Sequence, residues 1–402
     1  MSESSATDYL TVHEALHRID KYTETGINSE TIPARQSVGR VLSQDVAAQR
    51  DIPETDNSAM DGFLFLKNDL ENGLRSFELI GEIKPEDDGA SSPESGRCKR
   101  IMTGAQVPED EVFVIPVELT TTTGSTVEVK DIPKRNPIRK KGEGYQKGKT
   151  MLAKNKEIRP YEIGLLIESG NKACRVKKSI RMAIQVTGSE VDEDMNTNGP
   201  VLSGLMETWP GVEIETHPVL PDDFDKVVDR MKELSGSADV VCTTGGISKG
   251  ARDFILPAMK ELGAEIIIRN IQQKPGKPIT FTKLNGTLFF HLPGNPISAT
   301  FCAEMYVRRV VRNMLELPHL NLKAVAANSL ENHREEKTLF APGKLFLDKN
   351  QRLSVRSKGV MRSHLLQLYR DNDVYLRLEP GTRYGKGDLI EVIPFSTGID
   401  LS

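Results

Sequence analysis

Ala238-Asp239-Val240-Val241-Cys242-Thr243-Thr244-Gly245-Gly246-Ile247-Ser248-Lys249-Gly250 sets the architecture of this chain. Its first five residues make an apolar run of the kind that forms a buried strand. Past the glycines, Asp253-Phe254-Ile255-Leu256-Pro257-Ala258-Met259-Lys260 reads as a helix start. Strand, glycine-rich turn and helix together present free backbone N–H groups to an anion. Gly245 and Gly246 let the backbone approach phosphate oxygens, and Ser248 and Lys249 add a hydroxyl and a charge. The spacing is neither that of the P-loop nor that of the dinucleotide fingerprint. A tight βα turn with no ligand is therefore the competing reading.

The same alternation continues on both sides. Strand-like runs at 181–187, 212–220, 238–244 and 265–271 alternate with helix-like runs at 199–209, 222–235, 253–262 and 297–315. The pattern predicts a doubly wound α/β domain, a parallel sheet with helices on both faces. Asn285-Gly286 marks a hairpin appended to it. Two proline-locked turns, Lys274-Pro275-Gly276-Lys277-Pro278 and Leu292-Pro293-Gly294-Asn295-Pro296, lie at strand ends in the same segment. Open α/β sheets bind ligands at strand ends, so these turns predict a pocket for a phosphorylated molecule.

Thr187-Gly188-Ser189-Glu190 ends the first strand of this domain. Asp222-Asp223 ends the second and opens a helix, where aspartate is also a favoured cap. Glu190, Asp222 and Asp253 all follow strands of one sheet and are expected on one rim. Carboxylates converging near a phosphate turn suit Mg2+, which prefers oxygen ligands. Lys274 and Lys277 would balance phosphate charge. Elsewhere, Asp56-Asn57-Ser58-Ala59-Met60-Asp61-Gly62-Phe63 is either a structural turn or a loop that places the Asp61 carboxylate in a cleft. Ile101-Met102-Thr103-Gly104-Ala105 carries the same two readings.

At 402 residues, several domains are expected. Residues 1–50 read as a helix followed by short extended pieces, with Thr11 and Glu14 forming a capping box. Residues 51–138 read as a small β-rich module. Residues 139–178 begin with basic Ile138-Arg139-Lys140-Lys141-Gly142 and end in a helix with Pro160 in its first turn. The α/β segment covers 179–317, and 318–402 return to short strands. The net charge of −4 and 5% aromatic content argue against a general nucleic-acid binder. A polar amino terminus and the lack of a long apolar run predict a cytoplasmic chain with no membrane span. Cys98, Cys174, Cys242 and Cys302 lie far apart and read as buried free thiols.

Taken together, the motifs resemble the molybdopterin molybdenumtransferases of molybdenum-cofactor synthesis, whose relatives include the E domain of gephyrin. Five stretches carry the resemblance: Asn57-Ser58-Ala59-Met60-Asp61-Gly62, Ile101-Met102-Thr103-Gly104-Ala105, Thr244 to Gly250, Lys274 to Pro278, and Leu292 to Pro296. The resemblance implies an elongated helical domain built from 1–50 and 139–178, an inserted β-domain, a molybdopterin-binding α/β domain and a carboxyl-terminal β-barrel. It also implies a homodimer, with the active site near the junction of one subunit's α/β domain and its partner's first two domains. The implied reaction joins molybdate to the dithiolene of adenylylated molybdopterin, with AMP released and Mg2+ assisting. Asp61, Glu190, Asp222 and Asp253 match catalytic positions. Glu190, Asp222 and Asp253 are also the expected metal ligands. Thr103, Gly245, Gly246, Ser248, Lys274, Lys277, Pro293, Asn295, Pro296 and Ser363 match substrate-binding positions. The resemblance leaves room for a molybdopterin adenylyltransferase as a protein partner.

Three positions depart from the family pattern. Gly144 stands where an acidic residue is usual, Ser189 replaces an aspartate beside Glu190, and Pro342 in Phe340-Ala341-Pro342-Gly343 stands where an arginine is usual. These changes leave the pterin and adenylate side intact and bear on the molybdate side. A non-enzymatic alternative follows, a catalytically altered paralogue that holds molybdopterin or serves as a scaffold. A related adenylyltransferase is a third reading, and the additional domains argue against it.

Overall fold

The computed structural model describes residues 9–23, 26–87, 89–188, 196–246, 254–319, 322–358 and 366–398. The chain divides into two compact units. One comprises 1–30, 39–41 and 176–402, and the other comprises 31–38 and 42–175.

The larger unit is built on a six-stranded sheet. In chain order its strands are β1 (Ile180–Thr187), β2 (Val212–Leu220), β3 (Val240–Thr244), β4 (Glu265–Arg269), β5 (Thr280–Leu284) and β6 (Thr287–Leu292). They lie in the order β2-β1-β3-β6-β5-β4. The first four in that order run parallel, and β5 and β4 are antiparallel. Two expectations are corrected here. The run at 265–271 forms an edge strand that has no parallel neighbour, because it pairs antiparallel with β5. The Asn285-Gly286 hairpin is not an appendage, because β6 is the fourth parallel strand. Every residue of β6 is buried, and that is why its run Leu288-Phe289-Phe290 is continuously apolar. Asn285 and Gly286 both have positive φ, 51° and 89°, as a two-residue hairpin turn requires.

Helices cover both faces. Met182, Ile184, Val240, Cys242, Leu288 and Phe290 point to one side. There they meet α1 (Val12–Tyr22), α2 (Asn198–Met206), α5 (Pro296–Cys302) and α6 (Arg308–Met314). Ala183, Val241 and Phe289 point to the other, against α3 (Phe224–Ser237) and α4 (Ile255–Glu261). The alternation follows from the two-residue period of a strand. Phe281 and Phe290, paired across β5 and β6, stack with centroids 4.5 Å apart. Between α5 and α6 a five-residue π-turn, Ala303–Val307, interrupts the expected continuous helix, and its Tyr306 is buried and donates to Gln273 Oε1.

Strands β7 (Leu322–Ala326), β8 (Thr338–Leu347), β9 (Leu353–Arg356), β10 (Val374–Leu378) and β11 (Leu389–Pro394) form the carboxyl-terminal domain. Their order is β8-β9-β7-β11-β10, and a further pairing of β10 with β8 closes the ring. This is the expected β-barrel, filled by Ala341, Leu345, Val355, Leu376 and Val392.

The elongated helical domain expected from 1–50 and 139–178 is not evident. Thr11 caps α1 as expected, its Oγ1 accepting from Glu14 N–H at 3.2 Å and its N–H donating to Glu14 at 2.8 Å. That helix then joins the α/β unit. Its apolar face, Val12, Ala15 and Ile19, enters the core of that unit. Arg18 donates to Ile267 O at 3.0 Å, and Asp20 receives both arms of Arg309 at 2.6 Å. Over 139–178 only Pro160–Glu168 is helical among the described residues. Gly142, Gly144 and Gly148 break the rest into short strands and turns, with Thr150–Leu152 paired to Val46–Ala47.

In the smaller unit, a six-stranded sheet orders 112–116, 62–66, 97–101, 76–83, 126–129 and 120–123. Its cores lie on the two sides, around Phe65 and Phe77 on one and Leu64 and Ile101 on the other. All four cysteines are buried free thiols. Among the described residues no helix is long and apolar enough to cross a membrane.

Candidate active site

At the carboxyl ends of β1, β2, β3 and β6 the parallel strands deliver their turns together. β3 ends at Thr244, and Gly245 and Gly246 follow with φ of +91° and +63°. A β-carbon on Gly245 would press into the carbonyl oxygen of Thr187 at the end of β1. Only glycine lets these two strand ends approach so closely. Thr187 Oγ1 donates to Thr244 O at 3.3 Å.

The turn after β6 is tied to the same place. Thr244 Oγ1 donates to Pro293 O at 3.3 Å. Asn198, the first residue of α2, donates through Nδ2 to Thr244 Oγ1 at 2.7 Å and to Gly294 O at 2.8 Å. Asn295 is the N-cap of α5, with Pro296 at the first helical position. Sequence reasoning named Gly245, Gly246, Pro293, Asn295 and Pro296, and the structure brings them together. Thr187 and Thr244 lie in stretches that reasoning also singled out, and it missed Asn198. The signal was present in part, since Asn198 opens a helix directly after the first strand's loop, but asparagine there reads equally as a cap.

Asp222 follows β2, on the same side of the sheet. The cap is Asp223, whose side chain accepts from Lys226 N–H at 3.2 Å. Of the acidic pair, Asp223 is therefore the cap. Glu190, Ser248, Asp253 and Ser363 lie outside the described residues. No group of three or more potential metal ligands occurs among the described residues.

Lys274 and Lys277 lie on the turn after β4. Gly276 between them has φ of +79°, and a β-carbon there would drive into Cys302 Sγ. The turn is held by Ile271 N–H to Lys277 O at 3.0 Å and by Gln273 Nε2 to Gly276 O at 3.2 Å. Lys274 is exposed. The Lys277 ammonium lies 4.4 Å from the centre of the Tyr9 ring, a cation–π arrangement. Tyr9 had not been singled out by sequence reasoning.

Beneath these turns sits His291, fully buried. Its Nδ1 is 2.9 Å from Thr243 Oγ1 and its Nε2 is 3.0 Å from Thr282 Oγ1. Burial pushes its pKa down to about 3, so the imidazole is neutral and serves as donor on one side and acceptor on the other. Two clefts at the opposite, amino ends of the strands share Arg181, Asp239 and Met314. They contain none of the predicted site residues.

In the smaller unit Asp61 lies in the short turn between strands Asn57–Ser58 and Gly62–Leu66. Its Oδ1 accepts from Thr103 N–H at 2.7 Å and Thr103 Oγ1 at 2.9 Å. The Thr103 backbone and hydroxyl hold the Asp61 carboxyl below its ordinary pKa. Nearby, Lys140 Nζ lies 2.6 Å from Asp56 and lowers its pKa in turn.

Three sequence profiles match the chain in order. They are described as the MoeA N-terminal region (domain I and II) at residues 10–170, a probable molybdopterin binding domain at 183–313, and the MoeA C-terminal region (domain IV) at 323–395. A molybdopterin molybdenumtransferase of Staphylococcus aureus is 30% identical over 317 residues, 75% of each chain. The chain belongs to the MoeA family of molybdopterin molybdenumtransferases. Another family member, from Staphylococcus epidermidis, is 27% identical over 96% of this chain and 95% of its own. The fold is that of the molybdopterin biosynthesis MoeA protein of Pyrococcus horikoshii OT3, with a TM-score of 0.76 and 22% identity over 96% of this chain and all of that one.

Of the departures from the MoeA pattern, two are described. Gly144 donates to Ile52 O at 2.9 Å, and a β-carbon on it would lie 3.0 Å from that oxygen. An acidic residue fits there only if the loop shifts. The neighbouring Glu143 is already engaged, accepting from Lys140 N–H at 2.8 Å. Pro342 is buried within β8 and accepts from Ser357 Oγ at 2.5 Å. It is paired with Tyr375 on β10, two residues before β8 takes up β9 at Lys344.

Proposed function

We propose that this protein inserts molybdenum into adenylylated molybdopterin, releasing AMP and forming molybdenum cofactor. The observation that carries this reading is the match to molybdopterin molybdenumtransferases over nearly the whole chain. The molybdopterin-binding profile covers 183–313, the segment whose strand ends converge. The chemistry asks for a pyrophosphate to be held and a tetrahedral oxyanion to be brought to two sulfurs. That is positioning and charge neutralisation.

In this reading the backbone at Gly245 and Gly246, with Ser248, faces the phosphates, and Lys274 and Lys277 neutralise them. Pro293, Asn295 and Pro296 shape the opposite wall. Asp61, Thr103 and Ser363 are further substrate-side groups. Asp222, with Glu190 and Asp253, would hold Mg2+, whose preference for oxygen suits carboxylate donors. When bound, the ion offsets phosphate charge. Residues 51–138, 179–317 and 318–402 act as the β-rich, molybdopterin-binding and barrel domains, in a cytoplasmic homodimer that receives its substrate from an adenylyltransferase.

The test is incubation with adenylylated molybdopterin, with and without molybdate, reading AMP and cofactor. Molybdate-dependent release of AMP with cofactor formation is expected. Tight binding without turnover would instead favour the scaffold reading, to which Gly144 and Pro342 point.

A further inference from the structure

The π-turn Ala303–Val307 and the turn Lys274–Lys277 are joined through one buried side chain, that of Gln273. A π-turn winds more widely than the helix around it and so redirects the side chains it carries, and such turns occur mostly at functional sites. This one delivers Tyr306 into the interior, where its hydroxyl meets Gln273 Oε1. The roles in this contact are forced. Gln273 Nε2 donates to Gly276 O at 3.2 Å, and a carbonyl oxygen can only accept. The amide oxygen is therefore the end that faces Tyr306, and the hydroxyl must donate. Burial holds that hydroxyl well above its ordinary pKa, so the proton stays in place.

Gly276 is buried, with φ of +79°, and carries no side chain by which the turn could be packed. Its carbonyl is the handle instead. Besides Gln273 it takes Ile279 N–H at 3.2 Å and the Cys302 thiol at 3.7 Å. Cys302 is the last residue of α5, directly before the π-turn. The same helical stretch thus reaches this carbonyl twice, weakly from Cys302 and through Gln273 from Tyr306. Glycine is the most permissive backbone in the turn, and a directional bond to its carbonyl removes that freedom. We propose that Tyr306 is a positioning residue, which through Gln273 fixes the Gly276 carbonyl and with it the path of the Lys274–Lys277 turn for phosphate binding. This rests on the reading in which Lys274 and Lys277 neutralise phosphates, and deepens it by naming what holds their backbone in place.

Tyr306→Phe keeps the ring and deletes the donor. It also leaves Gln273 Oε1 buried without a partner, which costs stability by itself. The double variant Tyr306→Phe with Gln273→Met separates the two effects. Replacing both polar groups by apolar ones of similar size is nearly neutral for stability, while the Gly276 carbonyl stays without its tether. The urea midpoint should therefore return most of the way to native in the double variant. Molybdate-dependent AMP release should stay at least about tenfold below native in both variants, as for a displaced binding group. Inorganic pyrophosphate, titrated by calorimetry, should bind both more weakly by a similar factor. AMP release or pyrophosphate affinity close to native in the double variant would show that Tyr306 acts on stability alone and overturn the proposal. Should Tyr306→Phe fail to fold, the double variant decides alone. Molybdate-dependent AMP release that is indifferent to the substitutions would sink this inference and leave the proposed reaction standing. Weakened pyrophosphate binding in variants of a chain that releases no AMP would do the reverse. A native chain that neither releases AMP nor binds pyrophosphate at millimolar concentration would overturn both.

Discussion

Replacing Gly245 by alanine probes whether the strand ends position the phosphates. Gly245 has φ of +91°, and its added β-carbon would meet the Thr187 carbonyl oxygen well inside contact distance and Thr187 Oγ1 at 3.0 Å. Thr187 is buried and in register with β2, so its carbonyl does not swing away as a flexible side chain would. The turn must retreat instead, by on the order of 1 Å, and a displacement of that size can cost roughly a hundredfold in rate. In transition-state terms that is about 2.7 kcal/mol. The left-handed backbone adds about 1–2 kcal/mol to the cost in stability. Gly245 and Gly246 are partly exposed at the strand end, so the chain should remain folded. Molybdate-dependent AMP release should therefore fall about a hundredfold, with a modest shift in urea midpoint. AMP release within twofold of the native rate, at native stability, would refute the idea that this close approach places the phosphates.

Asp222→Asn should lower magnesium-dependent AMP release by about ten- to a hundredfold. Asp223→Ala should cost ~1 kcal/mol of stability through its lost cap with little change in rate, and equal kinetic losses from the two would contradict the division of roles. His291 stays neutral in the folded chain down to about pH 3, whereas an unfolded histidine protonates near 6.5. Between those values the unfolded state binds more protons, so its contribution is complete above about pH 6.5 and is lost as pH falls, by at most about 1.4 kcal/mol per pH unit. Urea titrations at pH 5, 6 and 7 should show that slope flatten in His291→Gln, and an unchanged slope would exclude His291 as its source. Light scattering at micromolar concentration should give about twice the 44.6 kDa chain mass, and a clean monomer would remove the proposed homodimer.

What was legible in the sequence is what local chemistry dictates. The capping box at Thr11 and Glu14, Pro160 at the first turn of its helix and the Asn285-Gly286 hairpin each depend on a few adjacent residues, and each appears where expected. Partner choice was less legible. Ile266-Ile267-Ile268 has the composition of a parallel strand, yet β4 pairs antiparallel at the sheet edge. Nothing within a short apolar run specifies the direction of its neighbour. The helical domain failed for the same reason. α1 was read correctly as a helix, but its destination depends on the distant Ile267 and Arg309. In the site, the glycine and proline turns announced themselves because few residues can occupy such backbones. Asn198 did not, because its role arises from Gly294, which lies 96 residues away in the chain.

The strands of the α/β unit also depart from the usual composition of a parallel sheet in one place, and that place bears on the site. Gln185 on β1 is in register with Thr243 on β3, Thr243 with His291 on β6, and His291 with Thr280 on β5. All four are buried, in a row crossing the sheet just before its carboxyl ends. Apolar residues would pack there at less cost, since a buried polar group is unfavourable unless it is bonded. The bonds are made. Gln185 Nε2 donates to Pro218 O at 2.8 Å and Val186 O at 2.9 Å, and His291 bridges the hydroxyls of Thr243 and Thr282. Packing alone sets the distance between strands but tolerates small slides along them. A directional bond from one strand to the next does not, and linked bonds reinforce one another. These bonds therefore tie β6 to β3 and β5, and β1 to β2, just below the turns that carry Gly245, Pro293 and Asn295. Catalysis by positioning needs its groups held to about half an ångström. A polar layer beneath the strand ends supplies that constraint where apolar packing would not, and this accounts for a local rule being broken beside the site.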